Sequence, residues 1–481
     1  MVTATAVDLQ FKNHMVKAKW IMVAMATSML LVACKPSEVD FSCQQPTLSI
    51  PPSKSDHLTI NVYLDGTPSM EGYVNTPTKS RYAQTLDLLD STFSLSNAKV
   101  VYNRLGTNTQ TISRKQFQKD TQLRTFYNGH DPQYPLLQES LIDKAVTPTD
   151  KEHQLSVIIT DLYQEDNDVT KVSQEIKKNY FNAEQAKQGY ALGIIALKSE
   201  FNGIVYNEDV NSTRFPYNTN GKPLHPFYAV FLGKYADIDD FFGKIVRQGG
   251  ELIKDSKLVI FSPNYLIKEP LHFSSNSSET SKKKDIRKSP NSDEIDITRP
   301  FSLQYKKVVI GKGEGIEMLE IGKSQKTEIP LNYNLPLNPF PHTLLFSDKS
   351  LKTKVKIESF DTFSQRKDQT TTLLSKQLIE MSGFEINPEQ TMLKFMTKLN
   401  PSQMKPTIYL FTIDTIATEL QEQPWWREWN STEANRNDGS KTFNILRFLQ
   451  EIKNVTTDLM TQENTQPPTV GHFCYAIQKD S

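Results

Sequence analysis

Alternating apolar and polar runs divide residues 56–255 into short strands and helices. Apolar runs rich in β-branched and aromatic residues predict buried strands, at residues 58–64, 98–106, 155–162, 190–201 and 226–233. Apolar residues spaced three or four apart predict helices between them, at residues 80–95, 134–146, 168–181 and 238–248. Strands alternating with helices predict an α/β fold, a doubly wound and mainly parallel sheet covered on both faces.

The pattern changes at about residue 257, where strands follow one another without long helices. In "LKTKVKIESF", Val355 and Ile357 alternate with lysines, which indicates a strand with one buried face. Residues 256–481 therefore read as a second, β-rich and sandwich-like domain that ends in an α/β segment with a C-terminal helix. Within it, residues 370–400 are expected to be helical. Residues 274–296 carry almost no apolar side chains and are expected to be a disordered loop.

The N-terminus has the features of an export signal. Lys17 and Lys19 precede the apolar stretch 20–33, which is too short to span a bilayer. The following "LVAC" resembles a bacterial lipobox, which implies removal of residues 1–33 and lipidation of Cys34; a plain signal peptide or a buried strand is the alternative. Met15 would give a more compact signal and is a candidate true start. Polar, proline-bearing residues 34–55 then read as a tether from the membrane anchor.

Charge and cysteine content narrow the class of protein. The 481 residues carry a formal net charge of zero with a pI of about 7.1, so no basic field argues for nucleic-acid binding. The expected location is the cell envelope, at the outer membrane if the host is Gram-negative. Exported compartments are oxidising, so Cys43 and Cys474 are expected to form a disulfide; two buried free thiols are the alternative.

The motif "LDGTPSM" suggests chemistry at the end of the first strand. Asp65, Thr67 and Ser69 supply one carboxylate and two hydroxyls on a single loop, all hard oxygen donors of the kind that Mg²⁺ prefers. In open α/β sheets this edge is where ligands bind. Asp161 follows the buried strand "VIIT".

These residues resemble the metal-ion-dependent adhesion site (MIDAS) of the von Willebrand factor A (VWA) family. Asp65, Thr67 and Ser69 match its Asp-x-Ser-x-Ser motif with Thr in place of the first Ser, and Asp161 matches its later aspartate. The resemblance covers residues 56–255. It implies Mg²⁺, or Mn²⁺ or Ca²⁺, coordinated directly by Thr67 and Ser69, with Asp65 and Asp161 orienting metal-bound waters. It also implies a protein partner that contributes an acidic side chain.

Two positions depart from the family pattern. The family has a Gly after the later aspartate, where this chain has Leu162. The family also supplies a Thr from an intervening loop just before a helix, where this chain reads "NGHDPQYPLL". Asp131, Gln133 or Tyr134 is expected in that place; Asp131 can act as an oxygen ligand, whereas Tyr134 can block the site. A VWA fold with a degenerate site is the alternative to a metal-binding one.

Three functional hypotheses follow. In the first, a non-enzymatic lipoprotein binds a protein partner through a VWA-like module and a metal. In the second, an envelope structural or assembly lipoprotein works through the β-rich domain and an exposed patch of Trp425, Trp426 and Trp429, which can instead pack a core. The third is an exported metal-dependent hydrolase that uses the metal directly. It is the weakest of the three, because the oxygen ligands come with no evident general base and the sequence shows no nucleophile elbow, phosphate loop or zinc-protease motif.

Overall fold

The computed structural model describes residues 50–51, 53–146, 153–163, 169–207, 213–272, 296–298, 304–309, 315–361, 366–370, 377–462 and 468–480. The predicted signal peptide, Cys34, Cys43, most of the tether and residues 274–295 of the predicted loop lie outside these residues. Within them, no helix is both long and apolar enough to cross a membrane.

A seven-stranded sheet dominates the first half of the described chain, in the spatial order β3-β2-β1-β4-β8-β5-β9. The strands up to residue 261 are β1 (Thr59–Asp65), β2 (Lys99–Leu105), β3 (Thr109–Ile112), β4 (Gln154–Thr160), β5 (Tyr190–Ser199), β6 (Asn202–Tyr206), β7 (Arg214–Asn218), β8 (His225–Lys234) and β9 (Lys257–Phe261). The pair β6–β7 is a separate hairpin that projects from the connection between β5 and β8.

The expectation of a mainly parallel sheet was wrong, because the sheet is mixed. Strand β1 is parallel to both β2 and β4, whereas the pairs β2–β3, β4–β8, β5–β8 and β5–β9 are antiparallel. The chain passes from β5 to β8 through the β6–β7 hairpin, and the described residues of this connection include no crossover helix, so β8 runs back along β5. Strand β8 then lies between β4 and β5. The parallel strands β1 and β4 remain neighbours.

Helices cover both faces of this sheet. The described helices are α1 (Arg81–Ser94), α2 (Arg114–Lys119), α3 (Thr125–Asn128), α4 (Ile142–Ala145), α5 (Val169–Asn179), α6 (Ala183–Lys187), α7 (Tyr235–Gly249), α8 (Trp425–Glu428) and α9 (Ile445–Thr461). Helices α1 and α7 bury Leu86 and Phe242 against one face, in a core shared with Val62 of β1. On the other face, Ile176 of α5 and Phe448 of α9 join a second core.

Two further sheets form the β-rich part. Their strands are β10 (Asp296–Thr298), β11 (Gln304–Val309), β12 (Gly315–Ile321), β13 (Ile329–Pro336), β14 (Leu351–Asp361), β15 (Arg366–Thr370), β16 (Ile379–Ile386), β17 (Met392–Leu399), β18 (Thr407–Ala417), β19 (Asn430–Ser431), β20 (Thr442–Phe443) and β21 (Thr469–Lys479). The sheet orders are β10-β13-β17-β16 and β11-β12-β21-β18-β14-β15. Contacts such as Phe395 on Phe473, with ring centroids 5.0 Å apart, pack one sheet on the other. The expected sandwich-like arrangement is therefore present.

The expectation of helices at 370–400 was wrong for residues 379–399, where β16 and β17 lie; residues 377–378 are helical, and residues 371–376 lie outside the described residues. The reason is visible in "MLKFMTKL", where Leu393, Phe395, Thr397 and Leu399 are buried at every second position. Period two places all four on the sandwich face, and this burial outweighs the local helix-forming tendency of Met, Leu and Lys.

The core continues across the expected boundary between residues 255 and 256. Strand β9, expected in the β-rich domain, is the edge strand of the first sheet. One continuous apolar cluster contains Ile194 of β5, Phe448 of α9 and Phe411 of β18. The β-rich part thus packs directly on the second face of the first sheet.

Candidate functional site

Strands β1 and β4 end side by side and place the two predicted carboxylates at one sheet edge. Their register pairs Leu64 with Ile159 in parallel. The next residues along each strand are Asp65 and Thr160, followed by Asp161. Asp65, Thr160 and Asp161 are all buried. The structure therefore brings together the two motifs that the sequence analysis singled out.

The loop after β1 folds back on the Asp65 carboxylate. Oδ1 of Asp65 accepts hydrogen bonds from the backbone N–H of Thr67, at 3.1 Å, and from its hydroxyl, at 2.7 Å. The hydroxyls of Thr67 and Ser69 lie 3.2 Å apart, and both side chains are buried. The residue spacing of Asp-x-Thr-x-Ser thus places all three oxygen-bearing side chains in one cluster.

Ser140 supplies a third hydroxyl that the sequence analysis missed. Its Oγ donates to Oδ2 of Asp65 at 2.6 Å, and Thr160 Oγ1 donates to the same oxygen at 2.9 Å. Ser140 lies two residues before α4, so it occupies a loop just before a helix, as the family's Thr does. The helix expected at 134–146 is absent from its first two turns. Ser140 was therefore treated as a helical residue and not as a loop ligand. Residues 135–141 have no helix, and the described helix is Ile142–Ala145.

The other residues proposed for that loop lie elsewhere. Tyr134 is buried, and its hydroxyl donates to Oδ2 of Asp120 at 2.5 Å, so its polar end does not reach the Asp65 carboxylate. Oδ1 of Asp131 accepts the backbone N–H of the exposed Gln133 at 2.9 Å, a contact within its own loop. A metal-ligand role for Asp131 stays a prediction, while Ser140 is the loop side chain in contact with Asp65.

The turn after β4 has the backbone shape that glycine favours, although the residue is leucine. Leu162 has a φ of 63°, in the left-handed region. Its N–H donates to Thr160 Oγ1 at 3.0 Å, and the N–H of Tyr163 donates to Oδ1 of Asp161 at 3.0 Å. These two bonds hold the Asp161 carboxylate at the sheet edge. Leu162 thus occupies the backbone region that glycine favours without being glycine.

Burial of two neighbouring acids gives the site an unusual electrostatic character. Burial, and then the charge of Asp65, raises the pKa of Asp161 to about 7. Burial also raises the pKa of Asp65, while hydrogen bonds from Ser140, Thr67 and Thr160 act to lower it. Two carboxylates close together in a buried site resist simultaneous ionisation. A bound cation would relieve both the burial cost and the repulsion.

Arg104, which the sequence analysis did not single out, hydrogen-bonds to the two loops that carry Thr67 and Ser140. Its fully buried guanidinium donates to Pro135 O at 2.9 Å and to Gly66 O at 3.2 Å. It also lies 5.2 Å from the ring centroid of Phe126. Burial lowers the pKa of Arg104 to about 10. The arginine in the apolar strand "VVYNRLG" was the sequence signal that could have identified it. A cation buried by such a strand needs fixed oxygen acceptors, so neighbouring loops must supply them.

The tryptophan residues proposed as a partner surface are buried. Trp425, Trp426 and Trp429 are all below one-tenth exposed and belong to the large apolar core. Trp426 packs on Phe261 of β9, with ring centroids 5.9 Å apart. The prediction of an exposed aromatic patch was wrong, because α8 and the residue that follows it bury these rings in the core.

Cys474 of β21 is disulfide-bonded. The chain's other cysteines, Cys34 and Cys43, lie outside the described residues. The expectation of a bond rather than a free thiol is thus met at Cys474, and its pairing with Cys43 stays a prediction.

Comparison with protein-family models and with curated protein sequences finds no match to this chain. In the described part of the chain, no three His, Cys, Asp or Glu side chains cluster in a way that could hold a metal ion. The donor set here is of a different kind, with two carboxylates and several hydroxyls. Hard oxygen donors with few protein charges fit Mg²⁺ or Mn²⁺, which usually keep some of their waters.

Proposed function

We propose that this protein is a membrane-anchored envelope lipoprotein whose VWA-like module binds a protein partner through a divalent metal ion. One observation carries the proposal. The hydroxyls of Thr67 and Ser140 donate to the buried Asp65 carboxylate. The Ser69 hydroxyl lies between Thr67 and Asp161, at the ends of two parallel strands. Three separate loops contribute to this cluster, so chance composition of one turn does not account for it.

Each side chain has a role that its chemistry supports. The hydroxyls of Thr67, Ser69 and Ser140 are neutral oxygen donors that would hold the ion directly. The carboxylates of Asp65 and Asp161 would supply negative charge and orient its waters. An ion held mainly by neutral ligands keeps an affinity for an additional carboxylate, which is the chemistry expected of an acidic side chain on a partner.

Thermal unfolding of the full-length chain in mild detergent tests the metal site. Mg²⁺ or Mn²⁺ should raise Tm relative to EDTA, because an ion that binds the folded state stabilises it by about 2.7 kcal/mol at roughly 100 times its Kd. Asp161→Asn keeps the size of the side chain and its acceptor oxygen for Tyr163. This variant should lose the metal-dependent rise while remaining folded.

Two loop variants distinguish the candidate ligands. Ser140→Ala should abolish or strongly reduce the rise, while Asp131→Ala, in the same region of the chain, should leave it unchanged. The opposite result would assign the loop ligand to Asp131. An unchanged Tm with every ion, in a wild-type chain that unfolds cooperatively, would refute the metal site and favour the degenerate-site alternative.

A further inference from the structure

A segment from the C-terminal part of the chain, residues 436–443, crosses the sheet edge beside Asp161. Asn207 Nδ2 donates to the backbone oxygen of Arg436. His225 Nδ1 donates to Gly439 O at 2.5 Å, and the hydroxyl of Tyr228 donates to Thr442 Oγ1 at 2.9 Å. All three donors lie on β8 or at the end of the β6–β7 hairpin. The segment is therefore attached to the first sheet.

Two further contacts fix the middle of this segment. Lys198 Nζ donates to Ser440 O at 2.9 Å. Gly439 lies flat on the ring of Tyr217, so close that a Cβ there would sit 2.4 Å from Tyr217 Cγ. A glycine is required at such a close approach. The 436–443 segment is thus held against this sheet edge by hydrogen bonds and close packing.

The segment forms one wall of a small pocket, and Asp161 lies on another. Tyr163, Asn207 and Lys441 also line the pocket, with the ring of Tyr206 beside them. Lys441 Nζ pairs with Asp438 at 3.7 Å, at the long limit of an ion pair. Among the described residues no ion pair joins Lys441 to Asp161, although both residues line this pocket.

We infer that Lys441 selects the acidic ligand of the metal site. This inference rests on the proposed function, since Asp161 alone would repel an anion and a divalent ion beside it would reverse that effect. A carboxylate held at the ion would then lie in the pocket that Lys441 lines. An ammonium group has three donors, and a charge-assisted hydrogen bond to a carboxylate is among the stronger polar contacts.

The pocket is small, so the ligand is an acidic side chain or a small carboxylate entering between the two walls. Specificity would then come from a residue more than two hundred positions after the metal-binding motifs. The β-rich part of the chain would serve as part of the binding site as well as its support.

Acetate, which has the carboxylate of an Asp or Glu side chain, is a suitable probe. Mn²⁺ binding to the full-length chain is followed by electron paramagnetic resonance, and acetate is then titrated to about 100 mM while the relaxation of Mn²⁺-bound water is measured. Lys441→Met should weaken acetate binding about tenfold and leave Mn²⁺ affinity within about twofold. Lys349→Met, which removes an exposed lysine outside the pocket, is the matched control.

The two readouts separate the two claims. If Mn²⁺ binds and Lys441→Met takes up acetate as wild type does, the role of Lys441 is refuted and the metal site stands. Failure of acetate to bind Mn²⁺-loaded wild type would also overturn the inference. If Mn²⁺ itself does not bind, the proposed function and the inference both fail.

Discussion

His225 should make the stability of this protein fall as the solution becomes mildly acidic. The ring is buried, stacked on Tyr73 at 5.4 Å and close to Phe201 at 4.4 Å, and its Nδ1 donates to Gly439 O. Burial lowers the pKa of His225 from 6.5 to about 4, and the ammonium of Lys198 contributes in the same direction. The folded state therefore holds the ring neutral where the unfolded chain would protonate it.

The sign and size of the effect follow from linkage. Between pH 6.5 and 4 the unfolded state binds more protons at this residue, so the free energy of unfolding falls as pH falls. For a folded pKa of about 4 and an unfolded value of 6.5, His225 alone should cost about 2 kcal/mol between pH 7.5 and pH 5. Below pH 4 the cost levels off at about 3 kcal/mol.

Urea unfolding at pH 7.5 and pH 5 measures this contribution. His225→Gln keeps a donor for Gly439 O and cannot titrate, so its stability should change less between the two pH values than that of wild type, by about 2 kcal/mol. His272→Gln, at an exposed histidine, should behave as wild type does. If the two variants show the same pH dependence, within about 0.5 kcal/mol, the buried neutral state of His225 is refuted.

Three further substitutions test the packing around the site and the core. Gly66→Ala should destabilise the fold by about 1–3 kcal/mol in urea unfolding, because the new Cβ would lie 2.5 Å from Cγ of Arg104; Gly322→Ala, with open space around it, should be close to neutral. Trp426→Ala should cost about 3–5 kcal/mol because the ring is fully buried; a loss below about 1 kcal/mol would contradict its place in the core. Cys474→Ser should lower stability by about 2–5 kcal/mol, and a reductant should lower wild type to the level of this variant; no response to reductant would contradict the disulfide.

The parts of the fold that local sequence could predict are those with a clear periodicity. The apolar runs at 58–64 and 155–162 became β1 and β4. The pairing of Asp65 with Asp161 at their ends was expected from the family resemblance and not from the periodicity. The position of β8 could not be predicted, because strand order depends on long-range packing that no single segment encodes. Its apolar run is equally suitable for a parallel or an antiparallel neighbour.

Ser140 shows how a local pattern can mislead. Leu137, Leu141 and Ala145 are spaced as on a helix, and two of them are buried. Leu137, however, packs against Gly106, just after β2, from a segment that is not helical. Pro135 precedes it and its oxygen accepts a bond from Arg104, which holds the chain out of a helix. The contacts of Leu137 with Gly106 and of Pro135 with Arg104 thus outweigh the helical spacing of the leucines.

The attachment of the 436–443 segment to the first sheet has a consequence for the order of events during folding. A chain is synthesised from its N-terminus, and the Asp65 loop exists long before residues 436–443 are made. The pocket beside Asp161 cannot be complete until residues 441–443, which line it, have been synthesised and have packed on the sheet edge. A nascent chain, or one truncated before residue 436, would therefore carry the Asp65 loop without this wall of the pocket, and the sheet edge beside Asp161 would be more open than in the folded protein.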